Sequence, residues 1–140
     1  MNIKIVMTPE EREQAFQVRL EVFVHEQKVP KEIELDEFDD TAMHFLALDN
    51  HKPIAASRLR FVEEYGKLER ICVLKGYRGK SIGKALIQAM EVEIKEKGYK
   101  KAKLNAQIHA VEFYSKLGYE TVSDEFMDAG IPHVTMIKAL

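Results

Sequence analysis

Apolar and polar residues follow a strand-like period at the start of the chain and a helix-like period immediately afterwards. Residues 2–6 alternate, which predicts a short strand. Thr8 and Glu11 then match the pattern of a capping box, and apolar residues at helical spacing extend the predicted helix to roughly His25. Pro30 prevents the helix from continuing much further, because its ring removes a hydrogen-bond donor.

The rest of the chain contains further periodic segments separated by glycine, proline and polar turns. Strands are predicted at residues 43–49, 54–62, 67–74, 100–108, 119–122 and 133–137, and helices at residues 82–97 and 109–117. The acidic stretch 31–41 has no clear period and is interpreted as a loop or a short irregular helix. This order of elements predicts a single α/β (α+β) domain over residues 1–140, with a mixed sheet and helices on both faces.

Composition narrows the classes of partner and location. Hydrophobic residues make up 46% of the 140 residues, as expected for a globular domain with a real core. The 21 basic and 23 acidic residues give a net charge of −2, so we expect no nucleic-acid partner. No apolar run approaches the roughly 18 residues of a membrane span, so no membrane partner is expected. Residues 1–6 are too short and alternating for a signal peptide, which favours a cytoplasmic protein.

Cysteine and histidine usage limits the chemistry. Cys72 is the single cysteine, so an internal disulfide and a cysteine-based zinc cluster are excluded. It lies within an apolar run, which favours a buried small hydrophobe over a catalytic thiol. No two histidines have the i, i+4 helical spacing typical of zinc enzymes, and no metal is predicted.

The stretch from Arg78 to Leu86 is a glycine-bearing turn between a predicted strand and the clearest predicted helix. The start of a helix presents unpaired main-chain N–H groups and the positive end of the helix dipole, so this turn is a candidate anion site. A nucleotide P-loop would require glycine at the position of Leu74, and the dinucleotide pattern G-x-G-x-x-G is also absent. These two nucleotide-binding motifs are therefore excluded.

The turn resembles the pyrophosphate loop of the GNAT acetyltransferases, which has the pattern Q/R-x-x-G-x-G/A. Arg78 and Gly83 match its ends, whereas Ser81 replaces its middle glycine. Further blocks are similar to the ElaA/YjcF group of bacterial GNAT proteins. They are Arg19–Gln27 with Pro30, Glu34, Asp36, Asp39 and His44, and Ala106–His109 with Phe113, Tyr114, Gly118, Tyr119 and Gly130–His133.

This resemblance implies acetyl-CoA as cofactor and a mostly antiparallel sheet with a splayed strand pair. The pantetheine arm would pair with the main chain of Ile71, Cys72 and Val73, and an N–H group near Val73 would stabilise the thioester oxygen. The diphosphate would meet the turn. The implied cofactor-binding residues of the turn are Arg78, Gly79, Lys80, Ser81, Ile82, Gly83 and Lys84, and Asn105 is added to the same site.

The resemblance also implies catalytic roles. Tyr114 matches the tyrosine that GNAT proteins place beside the CoA sulfur, where a phenol can protonate the departing thiolate; its alternative role is an aromatic core pair with Phe113. The base that deprotonates the amine stays open among Glu26, Glu69, His44, His109 and His133. Of these, Glu69 and His109 are named as catalytic candidates. A surface charge at a strand edge is the alternative for Glu69, and a hydrogen-bonded structural role is the alternative for each histidine.

The acceptor pocket is expected at the end of the first helix and the loop after it. Glu26, Gln27 and His133 are the candidate substrate-binding residues. The acidic residues that follow would attract a cationic amine, or else form a solvated loop. They are Glu32, Glu34, Asp36, Glu37, Asp39 and Asp40.

We therefore expect an N-acetyltransferase that moves an acetyl group from acetyl-CoA directly to a primary amine of a small molecule or a protein. The alternative is a sensor of the same fold that binds acyl-CoA with little catalysis and contacts a partner protein. A homodimer is compatible with the sequence, although no surface feature marks an interface.

Overall fold

The chain folds into an eight-stranded mixed sheet with helices on both faces, in a computed structural model that describes residues 1–140. The strands are β1 Asn2–Ile5, β2 Met43–Asp49, β3 Lys52–Val62, β4 Tyr65–Val73, β5 Lys101–Gln107, β6 Glu120–Thr121, β7 Phe126–Asp128 and β8 Ile131–Ala139. The helices are α1 Pro9–Arg19, α2 Lys31–Glu34, α3 Ile82–Glu96 and α4 Val111–Lys116. A π-helix at Leu20–Glu26 continues α1, and short 3₁₀ turns occupy Glu37–Asp40, Lys75–Tyr77 and Ile108–Ala110.

Alternating side chains along the central strands divide the core into two layers. Phe45 and Ala47 of β2 pack in the larger cluster with α3, whereas Leu46 between them packs with α1 on the opposite face. This is the period of two that a strand buried on both faces requires. The predicted fold class, with a mostly antiparallel mixed sheet and helices on both faces, is confirmed.

Two local features differ from the sequence-based expectation. Thr8 caps α1 by accepting from the Glu11 N–H at 3.1 Å, but the Glu11 carboxylate accepts from the Met7 N–H, so the capping box is not reciprocal. The short strand β7 was not predicted, because three residues are too few to show a period. It pairs with β8 across a tight turn at Ala129 and Gly130.

The strands β4 and β5 separate partway along their length. They pair in parallel only between Gly66–Leu68 and Ala102–Leu104. Beyond this point β4 continues beside β3, while β5 continues beside β8. A register shift in the β3–β4 pairing and a left-handed Arg70, with φ of 56°, accompany the divergence. The splayed strand pair is therefore confirmed, and it leaves an opening between the two halves of the sheet.

Gly66 allows α3 to approach the narrow end of this opening. A Cβ added at this position would overlap Cγ1 of Ile94, whose side chain is fully buried. We expect Gly66→Ala to lower the free energy of unfolding by about 1–3 kcal/mol, as overpacked cores do. Urea denaturation measures the change, and Gly76→Ala is the control, because an added Cβ there meets no atom. An equal effect of both substitutions would contradict this explanation.

Candidate active site

A cavity of about 900 Å³ occupies the opening between β4 and β5. Its walls come from the end of the π-helix, α2, β4 from Lys67 onward, the turn before α3, the end of β5, α4 and the turn between β7 and β8. Because these elements are distant in sequence, the cavity gathers most of the predicted site residues in one place. Of the predicted cofactor-binding residues, Lys80 lies outside its wall and instead places Nζ 5.5 Å from the centre of the Tyr77 ring.

The turn before α3 presents a series of main-chain amides that have no partner. No N–H group from Gly79 to Lys84 donates a hydrogen bond within the protein, and we call these groups the amide cradle. The first intrahelical bond of this segment comes from Ala85, whose N–H donates to the carbonyl of Ser81 at 3.1 Å. Successive free amides at a helix start form a concave site for an anion, because their partial positive charges add.

Ser81 adopts the left-handed backbone conformation, with φ of 63°. This conformation costs a residue with a Cβ about 1 kcal/mol, which explains why the GNAT pattern has glycine at this position. The departure at Ser81 therefore adds backbone strain but leaves its N–H group in the cradle.

The main chain of β4 beside the cavity carries Cys72 with its side chain turned away. Its Sγ lies 3.6 Å from the carbonyl of Ala56, and the side chain is 4% exposed. Burial raises the pKa of this thiol to about 12, so no thiolate forms at neutral pH. The prediction of a buried small hydrophobe is confirmed. The neighbouring carbonyl of Val73 accepts from Nε of Arg78 at 2.9 Å.

Tyr114 projects from α4 into the cavity wall. Its half-buried ring meets Phe113 and Tyr119 edge to face, with centroids 5.2 and 6.1 Å away. Burial raises the pKa of the phenol to about 12. The hydroxyl makes no hydrogen bond within the protein and remains protonated at neutral pH. Tyr114 therefore packs against neighbouring aromatic rings and also lines the cavity, so its two predicted roles do not exclude each other.

Glu69 lies in the cavity wall but is surrounded by cations. Its carboxylate pairs with Arg58 at 2.8 Å, Lys67 at 3.1 Å and Arg60 at 3.3 Å, and only 11% of the side chain is exposed. Burial opposes the charged form, but Arg58 and Lys67 outweigh it and lower the pKa. The alternative of a strand-edge surface charge is therefore wrong. A carboxylate held in this way is a weak proton acceptor.

The histidines named as base candidates occupy different environments. His44 lies outside the cavity, where its Nε2 faces the carbonyl of Asp39 at 2.8 Å, and burial lowers its pKa. Its side chain is 6% exposed, so the structure does not bring this candidate together with the other site residues. His109 is exposed in the cavity wall.

His133 also lines the cavity and is more firmly held. Its Nδ1 donates to the carbonyl of Ile131 at 2.6 Å, because a carbonyl can only accept, and its ring stacks on Phe126. In the neutral ring this bond requires the proton on Nδ1 and leaves Nε2 as the acceptor. A buried position and one fixed tautomer are the arrangement that orients a histidine toward a substrate.

Two neighbouring residues at the end of the π-helix reach across the cavity. Glu26 accepts from Nη1 and Nη2 of Arg78 at 2.6 and 2.7 Å. Gln27 accepts at Oε1 from Nε2 of Gln107 at 3.0 Å.

Gln107 was not named as a site residue, although its place at the end of β5, two residues after Asn105, could have indicated it. Asn105 itself lines the cavity and accepts from the Thr135 hydroxyl at 2.9 Å.

The acidic stretch is mostly committed to a buried charge network. The network joins Arg19, Arg58 and Arg70 to Glu34, Asp36 and Asp39. Of its carboxylates, only Glu34 contributes to the cavity wall, and burial raises its pKa. The expectation of a solvated acidic loop is wrong for these residues, and their charges are neutralised by arginines. The remaining acids are exposed, namely Glu32, Glu37 and Asp40.

No group of three or more metal-binding side chains comes together in the structure. None of the helices combines the length and the apolar character that crossing a membrane requires.

Comparisons with known proteins agree on one family. Residues 7–140 match the family described as an acetyltransferase (GNAT) domain. The chain is 46% identical over 139 residues to the uncharacterized N-acetyltransferase YjcF of Bacillus subtilis (strain 168), covering 99% of both chains. The crystal structure of Escherichia coli ElaA has a TM-score of 0.89 and 26% identity, with 99% of both chains covered.

A GNAT family acetyltransferase from Elizabethkingia anophelis, solved with acetyl-CoA bound, has a TM-score of 0.73. It is 16% identical, with 99% of this chain and 97% of that chain covered, so this likeness shows the fold alone.

Proposed function

The chain belongs to the GNAT acetyltransferase family, and we propose that it transfers an acetyl group from acetyl-CoA directly to a primary amine of a small molecule or a protein. The observation that carries this proposal is the amide cradle at residues 79–84, whose residues apart from Lys80 line the same cavity as Tyr114. The cradle suits the diphosphate. The opening between β4 and β5 suits the extended pantetheine arm, which can pair with free strand edges.

Acetyl-CoA supplies an activated thioester, and the protein supplies proton transfer and positioning. The amine nitrogen adds to the acetyl carbonyl carbon, which places a negative charge on the carbonyl oxygen, and the carbon–sulfur bond breaks as the carbonyl re-forms. The phenol of Tyr114 is protonated at neutral pH, because burial raises its pKa, and it donates its proton to the departing sulfur. Main-chain N–H groups of β4 near Val73 stabilise the oxyanion.

We assign the removal of the amine proton to His133. Its Nε2 is an acceptor in the fixed tautomer, and the ring forms part of the cavity wall. His109 is the second candidate, because it is exposed at the same cavity. Glu69 is better suited to holding Arg58 and Lys67 in place than to accepting a proton. With Glu26 and Gln27, His133 borders the space for the acceptor.

A cytoplasmic location accords with the composition.

The proposal is tested by mixing the purified protein with acetyl-CoA and a panel of primary amines, and by measuring free thiol release. We expect amine-dependent thiol release above the rate of thioester hydrolysis. Thermal melting with added CoA is measured in parallel, because a ligand that binds the native state raises Tm. A raised Tm without thiol release would identify the acyl-CoA-binding sensor instead, and the absence of both would contradict the proposal.

A further inference from the structure

Arg78 immediately precedes the amide cradle, yet its side chain is turned toward a carboxylate. Its guanidinium makes a bidentate pair with Glu26, and its Nε is bonded to the carbonyl of Val73. The hydrogen bonds to Glu26 raise the pKa of Arg78, and the same bonds lower the pKa of Glu26. In this arrangement no adjacent pair of N–H groups on the guanidinium is free to bind a diphosphate in the bidentate geometry that arginine prefers.

The Glu26–Arg78 pair lies at the boundary between two cavities. Glu26 and Tyr77 line both the large cavity and a second one of about 560 Å³. Glu26 is also the last residue of the π-helix, a rare element that is frequently found at functional sites. The pair thus connects the acceptor side of the large cavity to the turn that carries the cradle.

The pair is exposed enough to break at little cost. The exposed fractions of the Arg78 and Glu26 side chains are 41% and 38%. Ion pairs with this exposure contribute little to stability, because water screens them. A diphosphate held by several amides carries more charge than one carboxylate, and it accepts a guanidinium in the same bidentate way. Arg78 can therefore gain from changing its partner.

We infer that Arg78 exchanges Glu26 for the diphosphate when acetyl-CoA binds, and that this exchange releases the Glu26 carboxylate into the cavity. The inference rests on the proposed function, because it requires the diphosphate to occupy the amide cradle. The released carboxylate lies beside Gln27 and favours an acceptor that carries a positive charge.

Isothermal titration of CoA into the wild type, Glu26→Gln, Arg78→Met and the double variant tests the exchange. We expect Glu26→Gln to bind CoA about threefold more tightly, because Arg78 no longer has to leave an ion pair of this modest strength. Arg78→Met binds CoA more weakly. The effect of Glu26→Gln disappears in the Arg78→Met background, because the two positions act through one interaction.

Two controls separate the exchange from a general effect of charge. Pantetheine lacks the diphosphate, so Glu26→Gln leaves its affinity unchanged. Glu21→Gln removes the same charge from the same π-helix without a contact to Arg78, since Glu21 pairs with His25. This variant leaves the affinity for CoA unchanged.

Each other result is decisive. If Glu26→Gln binds CoA with the affinity of the wild type or more weakly, the Glu26–Arg78 pair does not break on binding and the exchange is wrong. The proposed function is then unaffected, provided that the wild type binds CoA. If pantetheine or the Glu21→Gln control shows the same gain, the exchange is also wrong. If the wild type binds no CoA, the proposed function and the exchange both fail.

Discussion

Replacing Tyr114 by phenylalanine lowers kcat for acetyl transfer by about 10²- to 10⁴-fold, the range that general acid catalysis supplies. The substitution keeps the ring and its edge-to-face contacts with Phe113 and Tyr119, and removes only the hydroxyl. The affinity for CoA is expected to stay within about threefold of the wild type, because the cradle amides are untouched. Single-turnover thiol release measures the chemical step separately from binding.

The matched control for this experiment is Tyr99→Phe. Tyr99 packs on Phe61 outside the cavity wall, so losing its hydroxyl removes no group from the site. Its kcat is expected to equal that of the wild type. Should Tyr114→Phe retain full turnover at every pH, the phenol is only a packing residue and the departing thiolate takes its proton elsewhere.

Replacing Asp39 by asparagine lowers the free energy of unfolding by about 3–5 kcal/mol, the usual cost of removing one partner from a buried ion pair. The Asp39 carboxylate accepts from Nη1 of Arg19 at 2.7 Å and from Nη1 of Arg58 at 2.9 Å. Both arginine side chains are almost fully buried, so water cannot replace the carboxylate that each guanidinium loses. Urea denaturation followed by circular dichroism measures the loss, with Glu37→Gln as an exposed control in the same 3₁₀ turn.

The same residue predicts how acid affects stability. Burial opposes the charge of Asp39, but Arg19 outweighs it and holds the pKa well below its ordinary 3.8. A group with a lowered pKa stabilises the fold above its ordinary pKa, and this contribution is lost as the pH falls below about 4. Glu34 acts in the opposite sense, because its pKa is raised. Asp39→Asn is therefore expected to lose less stability than the wild type between pH 4 and 2. Parallel curves would contradict this assignment.

The pattern of apolar residues was sufficient for the elements with long apolar segments. The strand at residues 43–49 is predicted by a continuous apolar run before a turn, as a strand buried on both faces requires, and the helix beginning at Ile82 by a period of 3.6. The segment 126–128 carries no such pattern, because a strand of three residues depends on its partner strand rather than on its own period. The sequence predicts one helix over α1 and the π-helix, since a change of backbone pitch leaves no mark in composition.

The position of the candidate site could be predicted, but the partners of its charged groups could not. The glycine turn before α3 identified the cradle from local sequence alone. The pairing of Arg78 with Glu26 joins residues 52 positions apart, and that of Arg58 with Asp36 joins residues 22 positions apart. Such pairs depend on how the elements fold against each other. The charges of the acidic stretch alone therefore do not show that arginines distant in sequence neutralise them.

The early separation of β4 and β5 has a consequence for motion. Only three residue pairs join them, so the β1–β4 and β5–β8 portions are coupled in the sheet mainly through that short seam. An extended ligand in the gap would restore hydrogen bonding to both exposed margins and act as a temporary ninth strand. Amide hydrogen exchange near Val73 and Gln107 should then slow when the gap is filled. The exchange rate would therefore report whether a ligand occupies the gap.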